Sequence, residues 1–249
     1  QEIFEGLKAY RLEDGAMALF RPEANARRFN NSARRMAMAE LPEDMFVESC
    51  RALVEIDKDW FPAIDGGSIY LRPFMIANET FLGVKPSSDY LYMVIAAATG
   101  NYFKSGAPAV SLWVSQNYTR AAPGGTGAAK CGGNYAASLA AQAEAIRAGH
   151  DQVVFLDAAE KKWVEGTILP GITRDSLLTL AREAGLTVRE EPYSFDQWQA
   201  DAASGRLVEA FACGTAAVVT PIGKVNWPGG SFTIGAGGPG QMTQRLKEQ

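Results

Sequence analysis

A lysine set among small residues just ahead of a helix is equipped to condense with an aldehyde, and this chain holds one such stretch. It reads Pro123-Gly124-Gly125-Thr126-Gly127-Ala128-Ala129-Lys130-Cys131-Gly132-Gly133-Asn134-Tyr135. Glycines let a flat ligand approach the backbone closely, which bulkier side chains prevent. A lysine enclosed this way is desolvated, which frees the neutral amine needed for a Schiff base. A flexible glycine loop carrying a surface lysine is the competing reading. A second stretch, Leu169-Pro170-Gly171-Ile172-Thr173-Arg174-Asp175, runs a Pro-Gly turn into a helix. Its first turn and the Thr173 hydroxyl suit a phosphate, and a plain Thr173 N-cap is the alternative. The third, Cys213-Gly214-Thr215-Ala216-Ala217, could offer N–H groups and a hydroxyl to an anion. A tight hairpin turn explains it equally well. Arg72 lies in Ile69-Tyr70-Leu71-Arg72-Pro73-Phe74, where a buried guanidinium would need an anion. Pro73 leaves open an edge strand with Arg72 in solvent. Arg27, Arg28, Arg34 and Arg35 cluster on one helix, a solvated face by default with spacing that lets one point inward.

Composition removes several other chemistries. A hydrophobic share of 47% with 21% charged residues belongs to a folded globular chain, not a disordered one. The net charge of −4 argues against nucleic acid as a partner, because phosphate neutralisation needs a Lys/Arg excess. His150 is the only histidine, so a His-dependent triad or a His-built metal site would rest on one residue, and it reads rather as a polar residue at a helix end. Cys50, Cys131 and Cys213 are scattered without metal or redox spacing, which fits a reduced cytoplasmic compartment. No apolar run approaches the ~18 residues of a membrane span. The start, Gln1-Glu2-Ile3-Phe4-Glu5, has no signal-like core and no methionine, so the chain is expected to open inside an element that began earlier. Gly235 to Gly240 resembles a dinucleotide fingerprint only superficially and reads as a surface turn.

The elements that must position these residues follow from periodicity. Leu7 to Leu12 and Ala16 to Phe20 form a hairpin around Glu13-Asp14-Gly15. Pro22 to Ala39 is helical, with Ala26, Phe29, Ala33 and Met36 at three-to-four spacing, and Asp44 to Trp60 repeats the pattern. Strands follow at Ser68 to Met75, Tyr90 to Ala97 and Ala109 to Val114. The small-residue break Ala98-Thr99-Gly100-Asn101-Tyr102 reads as a domain linker. Beyond it come a helix over Asn134 to Ala148 and a strand pair, Gln152 to Asp157 with Lys162 to Glu165. A helix over Thr173 to Ala184 stops at Gly185, and strands Val208 to Cys213 and Ala216 to Thr220 flank the third motif. The order predicts a mixed α/β or α+β chain of two domains.

Taken together, the motifs resemble one family. Phe4-Glu5-Gly6-Leu7-Lys8-Ala9-Tyr10, Arg28-Phe29 with Asn31-Ser32-Ala33, Tyr70-Leu71-Arg72-Pro73, the Lys130 loop, Leu169 to Asp175 and Gly214-Thr215-Ala216-Ala217 occur in the order seen in branched-chain amino acid aminotransferases. These are pyridoxal-phosphate enzymes of fold type IV. The resemblance implies a small N-terminal α/β domain over 1–97, a linker over 98–106 and a large cofactor-binding domain with a barrel-like sheet over 107–249. It implies that Lys130 carries pyridoxal 5'-phosphate as a Schiff base and shuttles the substrate proton. Arg28, the N–H groups of Ile172 and Thr173, and Thr215 would hold the phosphate, and Tyr135 would bond the ring oxygen. Thr215 and Ala216 would receive the α-carboxylate, while Phe4, Tyr70 and Tyr102 bury an aliphatic side chain. Arg72 would bind the second carboxylate of glutamate. The implied reaction moves an amino group between leucine, isoleucine or valine and 2-oxoglutarate, in a cytoplasmic homodimer. D-amino acid aminotransferase and aminodeoxychorismate lyase share the fold and remain alternatives.

One departure stands out. The family carries a second Glu, then Gly-Gly-Met-Asn and an apolar strand, where this chain runs from Glu165 directly into Gly166. Glu165 is thus either the partner of the ring nitrogen or its neighbour. Either a segment is missing from the chain as numbered, or the deletion is real and leaves a non-catalytic relative. Both termini are also short by comparison, and no Cys-x-x-Cys stands where some relatives have one.

Overall fold

The computed structural model describes residues 1–64, 66–100, 109–165, 169–216 and 218–248. The chain divides into two compact units, one of Gln1–Lys104 with Ala128–Gly132, the other of Ser105–Gly127 with Gly133–Gln249. Among the described residues no helix is long and apolar enough to cross a membrane.

In the first unit, β1 (Glu2–Phe4), β2 (Leu7–Arg11), β3 (Met17–Leu19), β4 (Ser68–Ala77) and β5 (Tyr90–Thr99) form an antiparallel sheet, covered by α1 (Pro22–Arg35) and α2 (Glu43–Ile56). β4 is central. β5 follows one side of it from Ser68 opposite Thr99 to Ala77 opposite Tyr90. β1 and β2 share the other side, with Phe4 opposite Phe74 and Leu7 opposite Leu71. One register therefore continues across Glu5-Gly6. An edge position for Pro73 is corrected: it lies in the central strand, and the partner strand breaks opposite it. Proline has no N–H to give to the ladder, although its carbonyl still accepts from Glu5 N–H at 2.7 Å.

Alternation along these strands sorts the side chains by face. Ile3, Leu7 and Ala9, with Ile69, Leu71 and Met75, are buried in a core shared with Phe29 and Ala33 of α1 and Phe46 and Cys50 of α2. Each large side chain buried there contributes ~1.5–3 kcal/mol. Phe4, Gly6, Tyr70 and Arg72 occupy the alternate positions. The helices are shorter than periodicity predicts. α1 ends because Ala37 turns left-handed (φ 51°) and Met38 N–H returns to Ala33. α2 gives way to a single 3-10 turn, Lys58–Trp60.

In the second unit, β6 (Val110–Ser115) runs parallel to both β7 (Gln152–Phe155) and β9 (Val218–Trp227). β9 also pairs antiparallel with β8 (Phe211–Gly214) and β10 (Gly230–Thr233). The helix expected over Asn134 to Ala148 is two, α3 (Gly132–Ala136) and α4 (Leu139–Arg147). Ser138 interrupts it, its hydroxyl and N–H both returning to the Tyr135 carbonyl, the local competition that makes serine a poor mid-helix residue. α4 closes with Gly149 left-handed (φ 82°) and with His150 N–H on Ala145, a Schellman turn. His150 then stacks on Trp113. The strand expected over Lys162 to Glu165 is only two isolated bridges, Leu156 with Val164 and Trp163 with Ser194. α5 (Ile172–Glu183) has the predicted extent to within a residue, whereas α6 (Phe195–Ala203), β10 and α7 (Gln241–Glu248) have no counterpart in the periodicity reading.

Candidate active site

Lys130 belongs structurally to the first unit. The residues on either side of it, Ala129 and Cys131, are buried in that unit's core. Lys130 between them is half-buried, and its ammonium lies beside the Phe4 ring rather than in that core. Its backbone is tied on both sides: the N–H donates to Ser32 Oγ at 2.9 Å, and the carbonyl accepts from Phe4 N–H at 3.0 Å. Gly132 lies against Glu2, where a Cβ would come within 1.6 Å of the carboxylate. The two backbone bonds set Lys130 against the first unit rather than on an exposed surface loop.

The Lys130 ammonium lies 4.6 Å from the centroid of the Phe4 ring. The Arg72 guanidinium lies at the same distance from that ring and 5.2 Å from the Tyr70 ring, within the range of a cation–π contact. Arg72 Nη2 donates to Tyr70 Oη at 3.0 Å, while its Nε is buried with no acceptor. Gly6 makes room for that tyrosine, since a Cβ there would sit 2.0 Å from Tyr70 Oη. Solvent exposure of Arg72 at a sheet edge is therefore excluded. On the core face, Glu5 is fully buried and pairs with Arg28, Nε and Nη2 each reaching one carboxylate oxygen at 2.7 Å. Arg28 is the one arginine of its cluster that turns inward.

The second unit holds the other sequence-derived candidates. The N-cap of α5 is Gly171, and no side chain caps it. The Thr173 N-cap reading is thus corrected: Thr173 is the second helical residue, leaving its hydroxyl outside the capping role beside the N-terminal end of the helix dipole. Thr215 and Ala216 form the turn between β8 and β9, both half-buried. Tyr135 lies on α3 and is 43% exposed. Asn134 closes the residues around it, taking the Thr126 hydroxyl and donating to the Thr126 carbonyl, both at 2.7 Å. Glu165 Oε2 accepts from Arg120 Nε at 3.1 Å, whereas Oε1 is buried with no hydrogen bond. Burial pushes the carboxyl pKa up, with Arg120 and the nearby Ala121 N–H pulling it back. Tyr102 lies outside the described residues.

Glu165 fits pyridoxal phosphate on one observation in particular. A buried carboxylate oxygen without a donor, as in Glu165, is costly unless a cationic N–H meets it, and a protonated pyridine ring supplies one. Sequence reasoning left Glu5, Ser32 and Arg120 without roles. Ser32 was legible in principle, four residues after Arg28 on the inward stripe of α1. Arg120 carries no local signal.

The sequence profile of the family described as Amino-transferase class IV matches residues 2–168 and 163–225. The chain belongs to the class IV amino-transferase family. Its relatives narrow this to the branched-chain type. It is 52% identical to a branched-chain-amino-acid aminotransferase of Mycolicibacterium smegmatis over all of this chain and 74% of that protein. It is 44% identical to branched-chain-amino-acid transaminase 1 of Bacillus subtilis, again over the whole chain and 76% of the relative. Among solved structures, the branched-chain amino acid aminotransferase from Escherichia coli superposes with a TM-score of 0.80 at 28% identity, covering 99% of this chain and 83% of that one. The Thermobaculum terrenum enzyme, solved in its PLP-form, gives 0.76 at 26% identity, covering 99% of this chain and 82% of that one. These structures carry the fold-type IV architecture. The M. smegmatis alignment runs over 274 positions against 249 residues here, so that relative has residues this chain lacks. The two matched pieces of the family profile meet at 163–168, around the junction of Glu165 and Gly166.

Proposed function

We propose that this chain is a pyridoxal-phosphate aminotransferase that moves an amino group between leucine, isoleucine or valine and 2-oxoglutarate. The observation that carries the reading is the Phe4 ring, flanked by the Lys130 amine and by an Arg72 guanidinium with an unsatisfied Nε, each at 4.6 Å. An amine able to hold an aldehyde, an apolar wall and a carboxylate anchor then share one side chain. An aliphatic substrate uses the wall, and glutamate uses the anchor.

In this reading Arg28, the N–H groups of Ile172 and Thr173, and Thr215 would hold the cofactor phosphate; Tyr135 would bond the ring oxygen, and Glu165 would pair with the ring nitrogen. The bound cofactor supplies an electron sink for the charge left at the substrate Cα. Lys130 would hold the cofactor, and its neutral amine would carry the proton between the substrate Cα and the cofactor C4′. Thr215 and Ala216 orient the substrate α-carboxylate, and Phe4, Tyr70 and Tyr102 exclude water from the aliphatic side chain. A homodimer is part of the proposal. Leu82 and Val84 protrude fully exposed between β4 and β5, and Leu91 and Ile95 are exposed on β5, a pattern suited to cover by a second copy. The scattered spacing of Cys50, Cys131 and Cys213 favours a cytoplasmic location.

The test is incubation of the holoenzyme with leucine and 2-oxoglutarate, followed by detection of glutamate. Turnover that vanishes in Lys130→Ala, together with the cofactor's visible absorption band, is the expected result. Turnover of D-alanine alone would overturn the substrate assignment, and an unchanged band in Lys130→Ala would overturn the role of the lysine.

A further inference from the structure

The lysine and the arginine assigned to opposite ends of the cofactor lie in the same unit, and one buried hydroxyl joins the segments that carry them. Ser32 is fully buried. Its Oγ donates to the Arg28 carbonyl at 3.0 Å and accepts from Lys130 N–H at 2.9 Å, across 98 residues of sequence. A serine bonded back to the preceding helical turn weakens and bends a helix slightly on its own account. Here the oxygen of that same hydroxyl, its hydrogen given to the Arg28 carbonyl, accepts from the lysine segment.

We propose that Ser32 is a positioning residue for Lys130, fixing the register of the lysine segment against α1 and so the separation between the amine and Arg28. Apolar packing alone does not supply this. Ala129 and Cys131 are both small and both buried, and a slip of one residue would exchange Lys130 with either of them, turning the amine into the core. The bonds from Lys130 N–H to Ser32 and from Phe4 N–H to the Lys130 carbonyl both resist the slip. Of the two, only the Ser32 bond comes from a side chain and can be deleted by substitution without touching the strand. The proposal rests on the functional reading above for the identity of the ligand, but not for the hydrogen bond itself.

The experiment compares wild type with Ser32→Ala. In the variant the Lys130 N–H loses its serine acceptor, and the register must be restored each time the cofactor binds. The dissociation constant for pyridoxal phosphate should rise about tenfold, a buried hydrogen bond's worth, and the pH midpoint of the visible absorption band should move. A variant with a lowered melting temperature but unchanged cofactor affinity and unchanged pH midpoint would overturn the proposal, since a merely structural serine gives that result. Should Ser32→Ala not fold, amide hydrogen exchange at Lys130 in the wild-type protein decides: protection supports the bond, and exchange at the rate of an open loop refutes it. A wild-type chain that forms no absorption band with added pyridoxal phosphate counts against the functional reading, and the Lys130 exchange rate still tests the bond.

Discussion

Replacing Glu5 by glutamine tests how charge is balanced inside the first unit. Glu5 has no exposed surface, and the Arg28 side chain is 9% exposed. The pair is bidentate, with both contacts at 2.7 Å, and Gly6 N–H adds a third bond to the same carboxylate at 3.0 Å. Glutamine keeps the volume and one acceptor, but it removes the charge and sets an amide donor against a guanidinium. Removing one member of a buried pair costs about 3–5 kcal/mol, because the other charge loses its main counter-charge. The retained acceptor puts Glu5→Gln near the lower end, ~3 kcal/mol, a large share of the ~5–15 kcal/mol of a typical domain. In urea titrations followed by circular dichroism, with m of ~1–3 kcal/mol/M, the midpoint should fall by roughly 1–3 M. Removing the second charge as well, in Glu5→Gln with Arg28→Met, should recover much of the loss. Inorganic phosphate should stabilise Glu5→Gln more than wild type, since an anion at Arg28 replaces what was taken away. A loss below about 1 kcal/mol would refute the reasoning, for it would mean that Arg28 is compensated without Glu5.

Arg72→Met should cut kcat/KM for 2-oxoglutarate by roughly 10- to 150-fold, the worth of a charge-assisted hydrogen bond of ~1.5–3 kcal/mol. The leucine half-reaction should stay within about threefold, and an equal loss on both substrates would remove the anchor role. Gly6→Ala would drive a methyl into Tyr70 Oη, 2.0 Å away, so steady-state kinetics should show KM rising for both substrates; unchanged kinetics would mean that Tyr70 is not part of the pocket. Asp157 collects the N–H groups of Ala159, Glu160, Lys162 and Trp163, which hold its pKa down to about 2 from 3.8. A folded pKa below the unfolded one gives stability that is complete above 3.8 and lost as pH falls through about 2. The melting temperature of Asp157→Asn should therefore depend less steeply on pH across that window than the wild type's, and parallel curves would contradict the assignment.

Much of the fold was legible because its signals are local. The hairpin, both helices of the first unit and the long strands follow from periodicity, and the glycines that end α4 and α5 stand where a left-handed residue is needed. The misses are those of competing local bonds or weak patterning. Ser138 divides a helix that its alanines would have continued. The run from Lys162 to Glu165 has strand-like residues but only two bridging partners. α6 begins at Ser194, whose hydroxyl takes Gln197 N–H at 3.0 Å, a capping signal present in the sequence but not read. Arg120 could not have been linked to Glu165, since 45 residues separate them.

The least legible feature is also the one that organises the candidate site. Phe4, Glu5 and Gly6 look like an ordinary piece of strand, and Pro73 looks like a reason to place Arg72 at an edge. Both impressions change once the two are set opposite each other. A central strand that contains proline leaves its neighbour one bond short, so the neighbour breaks where the proline lies. At that break three consecutive residues take separate tasks. Phe4 meets Lys130 and Arg72 on one face, Glu5 balances Arg28 on the other, and Gly6 leaves space for Tyr70. Because alternation assigns the faces, inserting or deleting one residue between Ile3 and Leu7 would exchange them and bury Phe4 where Glu5 now sits. Such a variant should lose the Arg28 ion pair and cofactor binding together, whereas loss of one without the other would mean that the two faces are set independently of this register.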